Sequence, residues 1–259
     1  MKVYKVNTKN RELKLKVNIE TKKPSIVRII GYDPTKPNTK YFDITKGNKQ
    51  TPLKGINSVT LKMPVSPKVL HVKVFDKNNP NGSDVGIQKN KVYVHDLLQK
   101  GLNTERGYTE SFMQLARKIA EGAGYIPTDA YYSGDKYNHL IVVSDNILHR
   151  ETNKPMPTPA RVSTNQGVVE ISTDYLRDYT VPMRMFIICH EWAHHVTKSS
   201  NEFIADSKGV ELYLKQGFPE IEAMYAFTKV FDDEFVNAEK EKRAEIILKK
   251  LKNHSRDEW

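Results

Sequence analysis

Residues 190–194 read His-Glu-Trp-Ala-His, an HExxH pattern. On an α-helix, positions i and i+4 share one face about 6 Å apart, so His190 and His194 can hold one Zn²⁺ between them. Glu191 would face the same cleft, where it can accept a proton from water activated by the metal. An ordinary amphipathic helix with surface His and Glu can contain the same five letters. The motif therefore indicates a catalytic metal site only if a third protein ligand accompanies it.

A catalytic zinc ion needs a third protein ligand and an open position for water. One established extension of HExxH places a glycine three residues after the second His and a third His three residues further on. This chain has Thr197 and Ser200 at those positions, so that arrangement is excluded. A carboxylate from the following segment is the alternative source of a ligand.

Residues 201–206 read Asn-Glu-Phe-Ile-Ala-Asp and supply two carboxylates. If a tight turn leads from the HExxH helix into an antiparallel helix, Glu202 lies level with His194. Asp206 lies four residues further along the same helical face, where it can accept the free N–H of a liganding His and fix its tautomer. Glu202 also fits a capping box in which Ser199 is the cap. The pairing with HExxH favours metal ligation.

HExxH followed by Glu-x-x-Ala-Asp resembles the pattern of gluzincin-type zinc metallopeptidases. The match covers His190, Glu191, His194, Glu202 and Asp206. The resemblance implies that the two histidines of the motif and Glu202 hold zinc, and that Glu191 is the general base. It also implies that the activated water cleaves a peptide bond. The gap of seven residues before Glu202 is shorter than in most gluzincins, which leaves Asp206 and His195 as alternative third ligands. The stretch 157–227 is also similar to small metallopeptidase domains encoded by tailed bacteriophages.

Three further roles are predicted around this motif. A strand beside the cleft would bind substrate backbone by β-addition, and Val168–Ile171 is the strand predicted to do so. Arg161, His195 and several tyrosines are candidates for stabilising the oxyanion of the reaction. Cys189 is predicted to be a buried packing residue, because a reactive thiol needs polar, partly open surroundings.

The elements that carry these residues follow from periodicity. A helix is predicted from Thr109, ended by Gly122 and Gly124. A buried strand is predicted at Leu140–Val143, and three prolines exclude a helix at 151–159. Four more helices are predicted at about 181–198, 201–216, 219–232 and 235–252. Thr180 is the predicted cap of the first of these four, with Pro182 in its first turn. The charged run 239–245 at the end is typical of a solvated helix face.

Residues 1–100 show a different pattern, with apolar residues that alternate at period two. The strand-like segments are Leu13–Ile19, Ile26–Ile30, Val59–Met63, Val69–Phe75 and Val92–Val94. Turn-forming residues separate them at 33–38, 46–48 and 64–67, and 76–84 is the strongest loop signal. Short strands with this spacing predict a small antiparallel sandwich or barrel.

The charge is distributed unevenly along the 259-residue chain, whose formal net charge is +10. Residues 1–100 hold 21 basic and 7 acidic residues, a net of +14, and the rest has a net of −4. We therefore place a domain boundary near residue 100. The basic domain could bind an acidic protein or another polyanion, such as nucleic acid or a phosphorylated surface. The alternative is a module whose lysines only coat its surface. Lys outnumbers Arg there by 19 to 2, whereas proteins that read specific bases rely on Arg.

The sequence thus predicts an α+β protein, with a basic β-sandwich-like domain at 1–100 and a mainly helical, zincin-like metallopeptidase domain with a small sheet at 101–259. The single cysteine excludes an intramolecular disulfide, and no apolar run reaches the ~18 residues of a membrane span. The first residues lack the apolar stretch of a signal peptide. We expect a cytoplasmic or virion-associated enzyme that uses Zn²⁺ to cleave a protein or peptide. The alternative is a structural or attachment protein, for example of a phage particle, whose zincin-like domain is inert or serves processing only.

Overall fold

The computed structural model describes residues 2–96, 107–134, 139–230 and 238–257. The chain divides into two compact units, Met1–Lys100 and Gly101–Trp259, hereafter unit 1 and unit 2. Strands make up unit 1, whereas helices and a small mixed sheet make up unit 2. The α+β class predicted from the sequence is confirmed.

Unit 1 consists of antiparallel strands in two sheets. The strands are β1 (Lys2–Asn7), β2 (Leu13–Ser25), β3 (Val27–Asp33), β4 (Lys36–Lys46), β5 (Leu53–Met63), β6 (Val69–Asp76) and β7 (Val85–Asp96). One sheet has the order β1-β6-β3-β4 and the other β5-β2-β7. In β2, Leu13, Leu15 and Val17 are fully buried while Lys14 and Lys16 are exposed. The predicted alternation of apolar core and lysine-coated surface is therefore confirmed for this strand.

The sequence did not predict β1 or β4. Strand β4 begins inside the segment 33–38 that was predicted to be a turn, so only Pro34 and Thr35 separate it from β3. It contains Pro37, which cannot donate a hydrogen bond to a neighbouring strand. The strand tolerates this proline because β4 is the outermost strand of its sheet among the described residues.

Unit 2 has a small sheet in the order β10-β11-β9-β8. Its strands are β8 (Ala130–Ser133), β9 (Leu140–Ser144), β10 (Ala160–Ser163) and β11 (Val168–Ser172). Its helices are α1 (Tyr108–Gly122), α2 (Thr173–Leu176), α3 (Val181–Thr197), α4 (Glu202–Lys215), α5 (Glu220–Val230) and α6 (Ala238–Asp257). Strands β11 and β9 are parallel, and the other two pairings are antiparallel.

Helix α3 is the central element of unit 2 and packs against α1, α4, α5, β10 and β11. It is buried on nearly all sides, as expected for a helix rich in apolar residues on every face. Its surroundings are therefore a rigid core rather than solvent. In the part of the chain that the structure describes, no helix has the length and hydropathy needed to span a membrane.

Candidate metal centre

The start of helix α3 follows the predicted capping. Thr180 is the N-cap, its side-chain oxygen accepts a hydrogen bond from the Met183 amide at 3.3 Å, and Pro182 lies in the first turn. Three turns later the helix presents His190 and His194 side by side. Their ring centroids are 4.9 Å apart, and each residue is 7% exposed. The HExxH segment thus places two imidazoles on one face, as its spacing predicts.

A tight turn after α3 brings the next carboxylate to these rings. Lys198 adopts the left-handed conformation with φ of 51° and ends α3. Asn201 caps α4, since its side-chain oxygen accepts from the amides of Phe203 and Ile204. The alternative in which Ser199 caps this helix in a capping box is not found, because Asn201 is the cap. Because Asn201 does the capping, the side chain of Glu202 is directed to another role.

Glu202 lies between the two histidines. Its Oε2 atom is 3.2 Å from His190 Nε2, and its Oε1 atom is 3.4 Å from His194 Nε2. One ligand atom from each of the three residues lies within 4.8 Å of the other two. His190, His194 and Glu202 therefore form a cluster that could hold a metal ion.

The remaining nitrogen of each imidazole has a partner of its own. The Nδ1 atom of His194 is 2.7 Å from the Ser199 carbonyl oxygen, to which it donates. The Nδ1 atom of His190 is 3.0 Å from Asp206 Oδ1. Both partners hold a proton on Nδ1, so loss of the other ring proton would leave the Nε2 lone pair of each imidazole free to bind a metal ion. Two imidazole nitrogens and one carboxylate are a donor set typical of catalytic zinc, so these residues fit that metal.

Asp206 and His195, the alternative third ligands, lie elsewhere. The Asp206 carboxylate is fully buried behind His190 and faces Nδ1 rather than the Nε2 atoms. The His195 ring makes two contacts on the other side of α3: Nε2 is 2.9 Å from the Tyr108 hydroxyl, and Nδ1 is 2.7 Å from the Thr164 carbonyl. The structure therefore brings Glu202, and neither alternative, to both histidines.

Arg243 belongs to this cluster, although the sequence did not predict it. Its guanidinium bonds Asp206 twice, at 2.6 and 3.0 Å, and its Nη2 atom is 2.8 Å from Glu202 Oε2. It is only 7% exposed, although 239–245 was predicted to be a solvated face. That prediction is wrong for this position. The available signal was that Arg243, Ile247 and Leu251 recur every four residues, so the arginine continues the apolar stripe of α6.

The charged groups of the cluster alter one another's protonation. Hydrogen bonds from His190 and His194 hold the pKa of Glu202 well below its ordinary value. Burial alone would lower the pKa of His190, but its bonds to Asp206 and Glu202 raise it to about 9. Burial raises the pKa of Glu191, against the opposing effect of the two histidines. Glu202 is thus the carboxylate that stays ionised, as a metal ligand must.

A cavity of about 360 Å³ opens on this cluster. Glu191 lies in its wall beside the metal-binding groups, and Arg161 and Arg243 also face it. Its lining comprises Thr158, Pro159, Ala160, Arg161, Phe186, Ile187, His190, Glu191, His194, Glu202, Val230 and Arg243. Among the candidates for oxyanion stabilisation, Arg161 is thus at the cavity, whereas His195 and the described tyrosines are not part of its lining.

The strand beside the cavity is β10, because Ala160 and Arg161 belong to it. The prediction that Val168–Ile171 edges the cleft is wrong. That segment is β11, which has β10 on one side and β9 on the other, so its backbone groups are already paired. Strand β10 is the outermost strand on this side of the sheet among the described residues. It is held in place by Arg161, which donates to Glu170 of β11 at 2.9 and 2.5 Å.

Two small residues allow α3 to lie where it does. Cys189 is fully buried against Met113, and burial raises the pKa of its thiol, which confirms a packing role. Gly209 of α4 faces the backbone of His190: a Cβ atom added to it would lie 2.9 Å from the His190 Cα. Only glycine permits so close an approach between α3 and α4, and this approach sets the distance from the histidines to Glu202.

Comparisons of the chain with models of protein families, with curated proteins and with solved structures found no match.

Proposed function

We propose that unit 2 is a zinc-dependent metallopeptidase of the gluzincin type. The observation that carries the proposal is the convergence of His190, His194 and Glu202 at a cavity that also contains Glu191. In a metal-storage or purely structural zinc site, a fourth protein ligand would occupy the last coordination position of the metal. Here the described residues supply three ligands and a cavity beside them, which suits a reaction.

The roles of the residues follow from their positions. The two histidines and Glu202 would hold zinc, and Asp206 and the Ser199 carbonyl would keep the imidazoles in the ligating tautomer. Bound zinc supplies Lewis-acid chemistry, because it acidifies water and polarises a carbonyl group. Arg243 holds Asp206 and Glu202 in place, since its guanidinium donates hydrogen bonds to both carboxylates.

Glu191 is the residue proposed to move the proton. Its carboxylate adjoins the site in the cavity wall, so it can take a proton from the attacking water and return it to the leaving amine. Burial raises the pKa of Glu191, which makes its carboxylate a better proton acceptor. The cation of Arg161 is the candidate to face the oxyanion.

The surroundings suit an extended peptide better than a small amide. Phe186, Ile187 and Val230 give the cavity an apolar wall that can take a side chain. Strand β10 runs along its edge and can pair with substrate backbone. A peptide in this position would satisfy both the hydrogen-bonding edge and the apolar wall.

The test combines metal content with hydrolysis by the full chain. We expect one zinc per chain by mass spectrometry in both the native protein and Glu191→Gln, and hydrolysis of a mixed peptide library by the native protein only, with a loss of about 10²–10⁴-fold in the variant. Glu211→Gln, on α4 and outside the cavity lining, is the matched control and should keep full activity. A protein without zinc, or activity that survives Glu191→Gln, contradicts the proposal and favours a structural or attachment protein with an inert site.

A further inference from the structure

The outward face of the four-stranded sheet in unit 1 combines aromatic rings with cations. Two cross-strand rows define its centre: Lys5-His71-Tyr32-Lys40 and Val3-Lys73-Ile30-Asp43. Phe75 and Arg28 are paired in the adjoining row. We call the rings of Tyr32, His71 and Phe75, with the cations Lys5, Arg28 and Lys73, the aromatic face. Lys5 is exposed and the other five side chains are partly exposed, so the face is accessible to solvent.

Two rings of this face, Tyr32 and His71, meet edge to face. Tyr32 and His71 are neighbours in the register, with ring centroids 5.6 Å apart and planes at 87°. The ammonium group of Lys73 lies 4.6 Å from the centre of the Tyr32 ring. A cation next to a partly exposed ring can bind a phosphate of a nucleic acid while the ring stacks on the adjoining base.

The face also has a positive charge in excess. Its acidic neighbour Asp43 is already bound by Arg28, at 2.8 and 2.7 Å, and by Lys40 at 3.4 Å. Lys5 is exposed at the edge of the sheet on β1. An anionic ligand therefore meets cations here without having to displace a carboxylate first.

The other sheet of unit 1 also carries cations on its outward side. Lys14 lies opposite Lys62 on one side and His95 on the other, and Lys16 lies opposite Thr60 and Tyr93. The ring contact and the cation over a ring that are described above belong to the first sheet.

We propose that the aromatic face binds single-stranded nucleic acid without reading its sequence. The rings would stack on bases, and the lysines would line the sugar–phosphate backbone. The preponderance of Lys over Arg fits this use, because base readout in a groove relies on Arg whereas backbone binding needs only charge. A duplex keeps its bases stacked inside and cannot use the rings, and an acidic protein or polysaccharide offers charge without bases.

The test is the binding of labelled oligo(dT) of about 20 nucleotides to the full chain, measured by fluorescence anisotropy between about 50 and 200 mM salt. Lys5→Gln/Lys73→Gln should weaken binding and reduce the slope of log K against log salt by about 1.4, since each lost phosphate contact removes about 0.7 for a single strand. Lys49→Gln/Lys54→Gln, at exposed positions away from the aromatic face, removes the same charge and should leave the slope unchanged.

Tyr32→Leu separates stacking from charge. It should weaken oligo(dT) binding about tenfold with no change in slope, while Tyr32→Phe retains the affinity, because the phenylalanine ring still stacks. Circular dichroism confirms that each variant folds. The proposal is overturned if the chain does not bind oligo(dT) at low salt. It is equally overturned if both lysine pairs have the same effect, or if heparin and duplex DNA bind as well as the single strand.

Discussion

The two units use charge in opposite ways. Unit 1 carries a net charge of +14 within residues 1–100, and its lysines on β2 stand in water on the alternate positions of a strand. Unit 2 is close to neutral, yet it buries Asp206, Arg243 and His190 in one bonded network. The number of charges thus says little about where the chemistry lies. Burial and mutual contact single out the groups that a metal site needs.

The largest expected effect comes from breaking the buried network. Arg243→Met would leave Asp206 and Glu202 without their shared cation, and removing one partner of a buried pair costs about 3–5 kcal/mol. We also expect zinc affinity to fall about 10–100-fold, because Asp206 no longer holds His190. Chemical unfolding followed by Trp fluorescence reports on unit 2, since both tryptophans, Trp192 and Trp259, lie in it.

The neighbouring Lys242 is exposed on the same helix and provides the control. Lys242→Met should change the free energy of unfolding by no more than about 0.5 kcal/mol. If both substitutions have equal effects, the contrast between buried and exposed cations is wrong for α6.

A smaller effect is expected where α3 and α4 touch. Gly209→Ala adds a methyl group 2.9 Å from the His190 Cα, so the helices must separate. We expect a loss of about 1–3 kcal/mol in unfolding free energy, as for other overpacked sites, together with weaker zinc binding measured by titration calorimetry. Ser207→Ala, two residues away on the same helix, is the control and should be neutral or slightly stabilising because alanine favours helix. Unchanged stability and zinc affinity in Gly209→Ala would show that the helix spacing does not set the site.

The sequence predicted most of the site because its determinants are local. The i, i+4 spacing of the histidines needs only a helix, and the short turn after Thr197 brings Glu202 to them. Arg243 was missed because it reaches Glu202 and Asp206 from a helix that lies further along the chain. The order of β10 and β11 was also missed, because pairing between strands depends on distant partners and not on the periodicity of either strand.

The smallest effect is expected in unit 1, where a charge pair is only partly buried. Burial alone would raise the pKa of Asp43, but its bonds to Arg28 hold it below the ordinary value. A carboxyl whose pKa is lowered by folding stabilises the native state above its unfolded pKa, and this contribution is lost as the pH falls through the folded value. Asp43→Asn should therefore lower the melting temperature of unit 1 slightly at pH 7, with a cost of about 1 kcal/mol or less.

That difference should shrink as the pH is lowered below about 4, where the carboxyl of the unfolded chain begins to be protonated, and it should vanish once the pH falls below the lowered native pKa. Differential scanning calorimetry at several pH values measures it. A difference that stays constant from neutral to acid pH would mean that Asp43 acts through packing and not through its charge.

The central claim is that His190, His194 and Glu202 hold one metal ion. Anomalous diffraction at the zinc edge from crystals of the zinc-loaded chain tests it directly. We predict one anomalous peak about 2.0–2.2 Å from both Nε2 atoms and from a Glu202 oxygen. A peak on Asp206 or His195 instead, or no peak from protein crystallised with zinc, would contradict the account.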